Sequence, residues 1–378
     1  MPTDRPTVDP DGLLEYSVVF NDRSLNHMSA AFRQVMRDIS TELRGVYAAS
    51  SVAVVPGGGT CAMEAVARQF ATGRRCVVIR NGWFSYRWSQ ILEAGDIPAT
   101  CEVLSARQAA DERAAPFAPI PIDEAVERIR AAKPDVVFAP HVETSAGLLL
   151  PDDYITALAT AAHDAGALLV LDCIASGAAW VHMARTGVDV LITAPQKGWS
   201  GSPCAGLVMF SDAAASALEH TASSSFALDL RKWRAIMRAY EDGGHAYHAT
   251  LPTDGLRVFR DAMHDTREFG YATARERQFE LGRRVRAMLA GHRCPSVAAE
   301  GFEAPGVVVC HTDDAKLHDG SRLAGAGVQI AAGVPLMCGE RDDYQSFRIG
   351  LFGLDKLADV AGTVARLDEA FTQATRSP

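Results

Sequence analysis

The amino-acid sequence predicts an α/β protein: a large domain with a mostly parallel seven-stranded sheet, then a smaller C-terminal α+β domain. Three observations predict this fold class. Short apolar runs alternate with longer amphipathic segments through the first half of the chain, which is typical of a parallel sheet covered by helices. This texture changes after Pro252. The length of 378 residues also exceeds the size at which one hydrophobic core usually stops growing.

The predicted division is an N-terminal segment of residues 1–25, a large domain of residues 26–253 and a small domain of residues 254–378. The strands of a parallel sheet are buried on both faces, so they read as continuous apolar runs. Such runs occur at residues 52–55, 76–79, 99–103, 135–139, 167–171, 188–192 and 205–210. Amphipathic stretches at 60–71, 84–94, 122–132 and 152–165 predict the helices that connect them.

The segment after Pro252 predicts the small domain. It begins with a helical pattern that runs without a clear stop from residue 254 to about residue 290. Strand-like runs follow at 307–310, 327–331 and 346–350, and a final amphipathic stretch at 354–374 predicts the last helix.

Composition excludes several classes of protein. A content of 48% hydrophobic and 22% charged residues is that of an ordinary globular chain. The net charge of -9 argues against a nucleic-acid surface. No run approaches the roughly 18 apolar residues of a membrane-spanning helix, and the polar residues 1–12 do not resemble a signal peptide. We therefore expect a cytoplasmic protein without nucleic-acid or membrane partners.

Two charged residues follow neighbouring predicted strands. Asp172 ends the run 167–171, and Lys197 follows the run 188–192. Carboxyl ends of strands form the ligand-binding edge of open α/β sheets. A desolvated lysine forms a Schiff base with pyridoxal 5'-phosphate (PLP), and PLP acts as an electron sink when an acidic residue keeps its ring nitrogen protonated. Alone, each residue is better interpreted as an ordinary turn or surface position, but the pair, together with the two segments described next, favours a PLP site with Lys197 and Asp172 as catalytic residues.

Two further segments fit such a site. The segment VVPGGGT at 54–60 runs from a strand through glycines into a helix, and helix N-termini attract phosphate. It lacks the spacing of the common nucleotide-binding loops. The segment NGWFSYRW at 81–88 offers aromatic rings that either stack on a planar cofactor or pack in the core.

The chain resembles class V aminotransferases of the alanine–glyoxylate and serine–pyruvate type in five motifs: HVETSAG at 141–147, DCIAS at 172–176, QK at 196–197, YHATLP at 247–252 and RIG at 348–350. The resemblance runs from about residue 26 to the C-terminus. It implies the PLP-dependent transferase fold type I and a homodimer that acts on small amino acids and 2-oxo acids.

The resemblance also implies a role for individual residues. Lys197 would carry PLP as a Schiff base, Asp172 would pair with its ring nitrogen, and Arg348 would bind the substrate carboxylate. Phe84 or Trp83 would stack on the ring, with Thr144 near the ring oxygen and Ile174 beneath the ring. The residues implied around the phosphate are Gly58, Gly59, Thr60 and Gln196, joined by Tyr247 and Thr250 from the other subunit.

The chain departs from the family pattern at four places. Gly58 and Thr60 stand where a serine and a histidine are usual, and residues 16–25 replace the Pro-Gly-Pro segment that borders the active site. Trp199, close to the lysine, either narrows the pocket or packs in the core. These departures leave the amino donor open.

The predicted function is amino transfer between a small amino acid or related amine and a 2-oxo acid, by a ping-pong mechanism. The alternatives are a PLP-dependent lyase (β-elimination or desulfuration) or racemase on the same fold, and a non-catalytic PLP-binding module, which would not need Lys197. A zinc site at His245 and His248 lacks an acidic third ligand at standard spacing, so no metal is expected.

Overall fold

The computed structural model describes residues 8–376. Its helices are α1 (Ala30–Tyr47), α2 (Gly59–Phe70), α3 (Trp83–Ala94), α4 (Ile122–Ala132), α5 (Asp152–Asp164), α6 (Met183–Thr186), α7 (Asp212–Glu219), α8 (Leu230–Glu241), α9 (Thr253–Phe269), α10 (Tyr271–Gly291), α11 (Ala315–His318), α12 (Ser321–Ala324), α13 (Leu354–Ala358) and α14 (Val360–Arg376). None of these helices combines the length and apolarity needed to cross a membrane.

The strands are β1 (Ser51–Pro56), β2 (Arg75–Arg80), β3 (Thr100–Ser105), β4 (Arg107–Gln108), β5 (Phe117–Ala118), β6 (Val136–Pro140), β7 (Val142–Glu143), β8 (Leu148–Leu149), β9 (Leu168–Asp172), β10 (Val190–Thr193), β11 (Ala205–Phe210), β12 (Val307–His311), β13 (Ala331–Ala332) and β14 (Ser346–Gly350). Seven of them form one sheet in the order β1-β11-β10-β9-β6-β2-β3. The seven predicted strands are therefore confirmed.

Six strands of this sheet run in the same direction. The pairs β10–β9, β9–β6, β6–β2 and β2–β3 are parallel, and only β11 runs against its neighbours β1 and β10. The middles of these strands are buried, because helices cover both faces. The carboxyl ends of β1, β2, β6, β9 and β10 therefore lie along a single edge of the sheet.

A second, three-stranded antiparallel sheet has the order β12-β14-β13. Its apolar face packs with α10 and α14 in a separate cluster that includes Leu281, Phe347 and Phe371. The α/β fold with an additional C-terminal α+β unit is thus confirmed. The domain boundaries at residues 25/26 and 253/254 stay predictions, and residues 1–7 and 377–378 lie outside the described part of the chain.

Three predicted elements of the C-terminal part are wrong in detail. The long helix 254–290 is two helices, because Gly270 adopts a positive φ of 92° between α9 and α10. The run 327–331 is not a strand over most of its length: Gly327 ends a turn, residues 328–330 are irregular, and only Ala331–Ala332 pairs with β14. The last helix is interrupted at Asp359, whose carboxylate accepts the N–H of Gly362 at 2.8 Å and so starts α14.

Trp199 packs in the hydrophobic core that surrounds the seven-stranded sheet. Its side chain is fully buried, and its ring centroid lies 4.9 Å from that of Trp180. Rings of α1, α9 and α10 complete the cluster, at 6.2 Å (Tyr47), 6.3 Å (Phe259) and 6.0 Å (Tyr271). Of the two interpretations from sequence, core packing is therefore the one that the structure bears out.

We predict that Trp199→Ala lowers the free energy of unfolding by about 3–5 kcal/mol, because it leaves a cavity among four aromatic rings. Urea unfolding followed by circular dichroism measures this change. Trp83→Ala is the matched control, since Trp83 is only half-buried. A loss for Trp199→Ala no larger than the loss for Trp83→Ala would contradict the packing role.

Candidate active site

Five loops meet at the carboxyl edge of the large sheet. Asp172 is the last residue of β9, and Lys197 follows β10. The glycine turn 57–59 follows β1, the aromatic segment 81–88 follows β2, and the segment 141–147 follows β6. The parallel register pairs Ile192 with Asp172, which brings the predicted catalytic residues to neighbouring positions on this edge.

The Asp172 carboxyl group is 8% exposed. Its Oδ1 accepts the backbone N–H of Ile174 at 2.9 Å. Burial raises the pKa of Asp172 to about 6, against the opposing effects of that hydrogen bond and of the charge on Lys197. A cationic partner at this carboxylate would therefore relieve a real desolvation cost.

The Lys197 amine lies between two phenylalanine rings. Its Nζ is 5.9 Å from the ring centroid of Phe84 and 5.7 Å from that of Phe352. Burial lowers the pKa of Lys197, while the charge of Asp172 opposes this effect. A lysine in such surroundings more easily presents the neutral amine that attacks a carbonyl carbon.

The loop that carries Lys197 is fixed by close contacts. A Cβ on Gly198 would lie 2.2 Å from the carbonyl oxygen of Gly177, so only glycine fits there. Trp199 anchors the next position in the aromatic cluster described above. The hydroxyl of Ser200 accepts the N–H of Leu354 at 2.9 Å, which ties the loop to the start of α13.

The glycine turn leads into α2 without a side-chain cap. Gly58 is the N-cap residue, and no acidic residue lies in the first turn of the helix. A Cβ on Gly59 would lie 2.4 Å from Cδ1 of Ile174, so the helix start and Ile174 are in direct contact. The backbone N–H groups of this helix start are suited to an anion.

The structure separates the two aromatic candidates. The Phe84 ring is surrounded by cationic groups, with the guanidinium carbons of Arg87 and Arg348 at 5.3 Å and 5.4 Å from its centroid. The Trp83 ring instead packs against Tyr86, with centroids 5.7 Å apart. Phe84 is therefore the ring that lies with Lys197 in the site.

The other predicted residues occupy different surroundings. Thr144 is 6% exposed, and its hydroxyl has no hydrogen-bond partner within the described residues. Arg348 lies on β14 and donates from Nε to the carbonyl of Ala332 at 2.8 Å. Burial lowers the pKa of Arg348. Gln196 is exposed at the same loop as Lys197.

Tyr247 and Thr250 are not brought to the other site residues within the described chain. Their hydroxyl groups lie 3.0 Å apart, and Tyr247 is 54% exposed. The Tyr247 ring packs beside the ring of His27, at a centroid distance of 5.5 Å.

Glu143 lies in the segment HVETSAG, and the sequence alone predicts no role for it. It is fully buried, and its carboxylate accepts the backbone N–H groups of Phe84 at 3.2 Å and Ser85 at 2.8 Å. The hydroxyl groups of Ser85 and Ser145 donate to it at 2.7 Å each. Glu143 thus closes the N-terminus of α3 and fixes the position of the Phe84 ring.

Arg87 and Phe352 also lie at the site, although the sequence did not predict a role for either residue. Arg87 donates from Nη1 to Thr60 Oγ1 at 3.1 Å, joining α3 to the start of α2. Phe352 follows β14 and contributes the second ring beside Lys197. The only sequence signal for Arg87 was its position one turn after Phe84 on the same helix.

Residues 13–341 match the family model for Aminotransferase class-V. The 2-aminoethylphosphonate–pyruvate transaminase of Burkholderia mallei is 30% identical over 385 residues, covering 98% of each chain. The soluble hydrogenase small subunit of Synechococcus sp. is 25% identical, covering 97% of this chain and 91% of that relative. The crystal structure of alanine–glyoxylate aminotransferase from Nostoc sp. is similar at a TM-score of 0.78 and 22% identity, covering 93% of this chain and 89% of that chain.

We predict that Asp172→Asn stabilises the ligand-free protein at neutral pH. The folded-state pKa of about 6 lies above the ordinary value of 3.8, so ionisation of Asp172 disfavours folding as the pH rises through that range. At pH 7.5 the variant should gain about 3 kcal/mol, because the pKa of Asp172 rises from 3.8 to about 6 and one pKa unit corresponds to about 1.4 kcal/mol. At pH 3.5 the two proteins should be equally stable.

Urea unfolding at both pH values measures this difference. Asp135→Asn is the matched control of opposite sign. The backbone N–H of Arg75 is the main cause that lowers the pKa of Asp135, so removing that charge should lower stability at pH 7.5. An Asp172→Asn protein less stable than wild type at pH 7.5 would contradict the desolvation account.

Proposed function

The chain belongs to the class V aminotransferase family, a family of PLP-dependent enzymes, and from this premise we propose how its residues hold the cofactor and which substrates it takes. It is a PLP-dependent aminotransferase. The overall reaction moves an amino group between an amino acid and a 2-oxo acid.

The residues present fit PLP. The hydroxyl of Thr144 is a buried polar group that lacks a partner, as expected beside a ligand's polar atom. The Asp172 carboxylate is held ionised at a desolvation cost that a protonated ring nitrogen would offset. The N-terminus of α2 is open for the phosphate, and the flat ring of Phe84 borders Lys197.

When bound, PLP supplies an electron sink for negative charge at the substrate's α-carbon. We assign Lys197 as the covalent anchor of the cofactor. Once free of the cofactor, its amine would take the proton from the substrate's α-carbon and deliver it to the C4' carbon of the cofactor, which its lowered pKa favours at neutral pH. Asp172 would keep the ring nitrogen protonated, and Ile174 would lie beneath the ring. Gly58, Gly59, Thr60 and Gln196 would surround the phosphate.

We propose a homodimer in which Tyr247 and Thr250 of the partner subunit complete the phosphate site. Within residues 8–376 of one chain both side chains are exposed, and their hydroxyl groups hydrogen-bond to each other. Large apolar side chains are also exposed along the N-terminal segment, at Leu13, Tyr16 and Val18. Such a surface is typical of a protein interface. The cytoplasmic location stays a prediction.

We propose that Arg348 binds the acidic group of the substrate. Its guanidinium is partly buried, and its central carbon lies 5.4 Å from the centroid of the Phe84 ring, which the Lys197 amine also approaches at 5.9 Å. A planar fork of N–H groups binds carboxylate or phosphonate in a bidentate manner. The relatives named above act on 2-aminoethylphosphonate with pyruvate and on alanine with glyoxylate. Small amines that carry one such acidic group are therefore the proposed donors.

The structure favours amino transfer over desulfuration. A desulfurase needs a nucleophilic thiol at the site, and Cys338, in the loop between β13 and β14, lies against the end of β2. Its Sγ lies 3.5 Å from the carbonyl oxygen of Arg80 and 3.6 Å from that of Leu336. Burial raises the pKa of Cys338 well above its usual range, so its thiol is a poor nucleophile.

A donor panel tests the proposed function. With 2-aminoethylphosphonate, alanine and serine as donors, we expect one to remove the visible absorption band of the holoenzyme, and a 2-oxo acid to restore it. Arg348→Ala should raise the half-saturating concentration of that donor about tenfold to a hundredfold, as expected for loss of a charge-assisted hydrogen-bond pair.

Arg341→Ala is the control for this test, because Arg341 is an exposed arginine paired with Asp343 at 3.0 Å in the same part of the chain. Arg341→Ala should leave the half-saturating concentration of the donor unchanged. An Arg348→Ala enzyme with wild-type saturation would refute the assignment of Arg348. A band that no donor removes would refute the proposed substrate class.

A further inference from the structure

The helices α2 and α3 start next to each other at the active-site edge. A carboxylate accepts the first N–H groups of α3 but not those of α2. The start of α3 is closed by the buried Glu143 carboxylate, which accepts the N–H groups of Phe84 and Ser85. The start of α2 has a glycine N-cap and no acidic residue in its first turn. The positive end of the α2 dipole therefore has no negative group from its own helix start.

Arg87 adds a further positive charge at this place. It lies on α3 and reaches across to α2, where its Nη1 donates to Thr60 Oγ1 at 3.1 Å. No Asp or Glu oxygen within the described residues forms an ion pair with Arg87, whereas Arg68 on α2 is paired with Glu64 at 2.7 Å. A guanidinium at a helix N-terminus repels the dipole unless an anion lies between them.

We propose that Arg87 binds the phosphate of the cofactor, together with Thr60 and the open N–H groups of α2. This inference rests on the proposed function, in which that helix start is the phosphate site. The hydrogen-bond polarity fits: Thr60 Oγ1 accepts from Arg87, so its own hydrogen is available to a phosphate oxygen. The remaining N–H groups of the guanidinium supply the planar fork that suits phosphate.

The charges of the site agree with this assignment. Three cationic side chains, Lys197, Arg87 and Arg348, lie around the Phe84 ring. The acidic groups that act on them are the two buried carboxylates Asp172 and Glu143, and Glu143 is already engaged by α3. A phosphate dianion near Arg87 and a substrate anion near Arg348 would balance the excess. In this assignment Arg87 binds the cofactor phosphate and Arg348 binds the acidic group of the substrate.

The test compares PLP with pyridoxal, which has the same ring and aldehyde but no phosphate. Dissociation constants of both are measured by fluorescence and absorbance on protein stripped of cofactor. The ratio of the pyridoxal constant to the PLP constant isolates the phosphate contacts, because ring and lysine contributions cancel. The proteins are wild type, Arg87→Gln and Arg87→Lys, with Arg284→Gln as control at an exposed helical arginine paired with Glu280.

Arg87→Gln should lower this ratio about tenfold or more, as expected when a charge-assisted bond to phosphate is lost. Its affinity for pyridoxal should stay near the wild-type value. Arg87→Lys should fall between Arg87→Gln and wild type, because an ammonium keeps the charge but not the fork. Arg284→Gln should match wild type.

Equal weakening of PLP and pyridoxal in Arg87→Gln would overturn the proposal, since it would show that Arg87 only positions Phe84. An unchanged ratio in Arg87→Gln would also overturn it, while leaving the proposed function intact. A wild-type protein that binds PLP no better than pyridoxal would refute the phosphate site itself, and with it the role of Arg87.

Discussion

The electrostatic interaction between the buried Asp172 carboxylate and the Lys197 amine is set by strand pairing. The parallel register of β9 and β10 places Ile192 beside Asp172, and the loop that follows β10 brings Lys197 to the same edge. Burial acts against both charges: it raises the pKa of Asp172 and lowers the pKa of Lys197. The protein tolerates this because the loop is fixed by the glycine contact at Gly198 and by the fully buried Trp199. A charged cofactor would then find a site whose polar groups are already in position.

Backbone dipoles extend this arrangement beyond the charged pair. The Glu143 carboxylate accepts the backbone N–H groups of Phe84 and Ser85 at the start of α3. It thereby fixes the backbone of the residue whose ring borders Lys197. The start of α2 is left open toward the same space. Arg348 comes from the second sheet, so the acidic group of a substrate would be bound across the junction of two cores. Binding and chemistry thus draw on separate parts of the chain that only the fold brings together.

Much of this could be predicted from the sequence. The large sheet could be predicted because buried parallel strands are continuous apolar runs. Asp172 and Lys197 could be predicted because Asp172 directly follows one such run and Lys197 lies in the loop after the next run. The break at Gly270 was missed because the helical pattern continues on both sides of one glycine. Glu143 and Arg87 were missed because their partners lie 59 and 27 residues away, so no local pattern carries their roles. Trp83 was left as an alternative to Phe84 because sequence does not show which ring faces Lys197; in the structure the Phe84 ring approaches Lys197, and the Trp83 ring packs against Tyr86.

The most direct measurement of the central claim is the site of covalent cofactor attachment. Holoenzyme is reduced with borohydride, digested and analysed by mass spectrometry. The account predicts that the reduced cofactor is found on the peptide that contains Lys197, and that Lys197→Ala carries none. Lys133, Lys232, Lys316 and Lys356 serve as controls within the same digest. Stoichiometric modification of any of these lysines, or none at Lys197, would contradict the account.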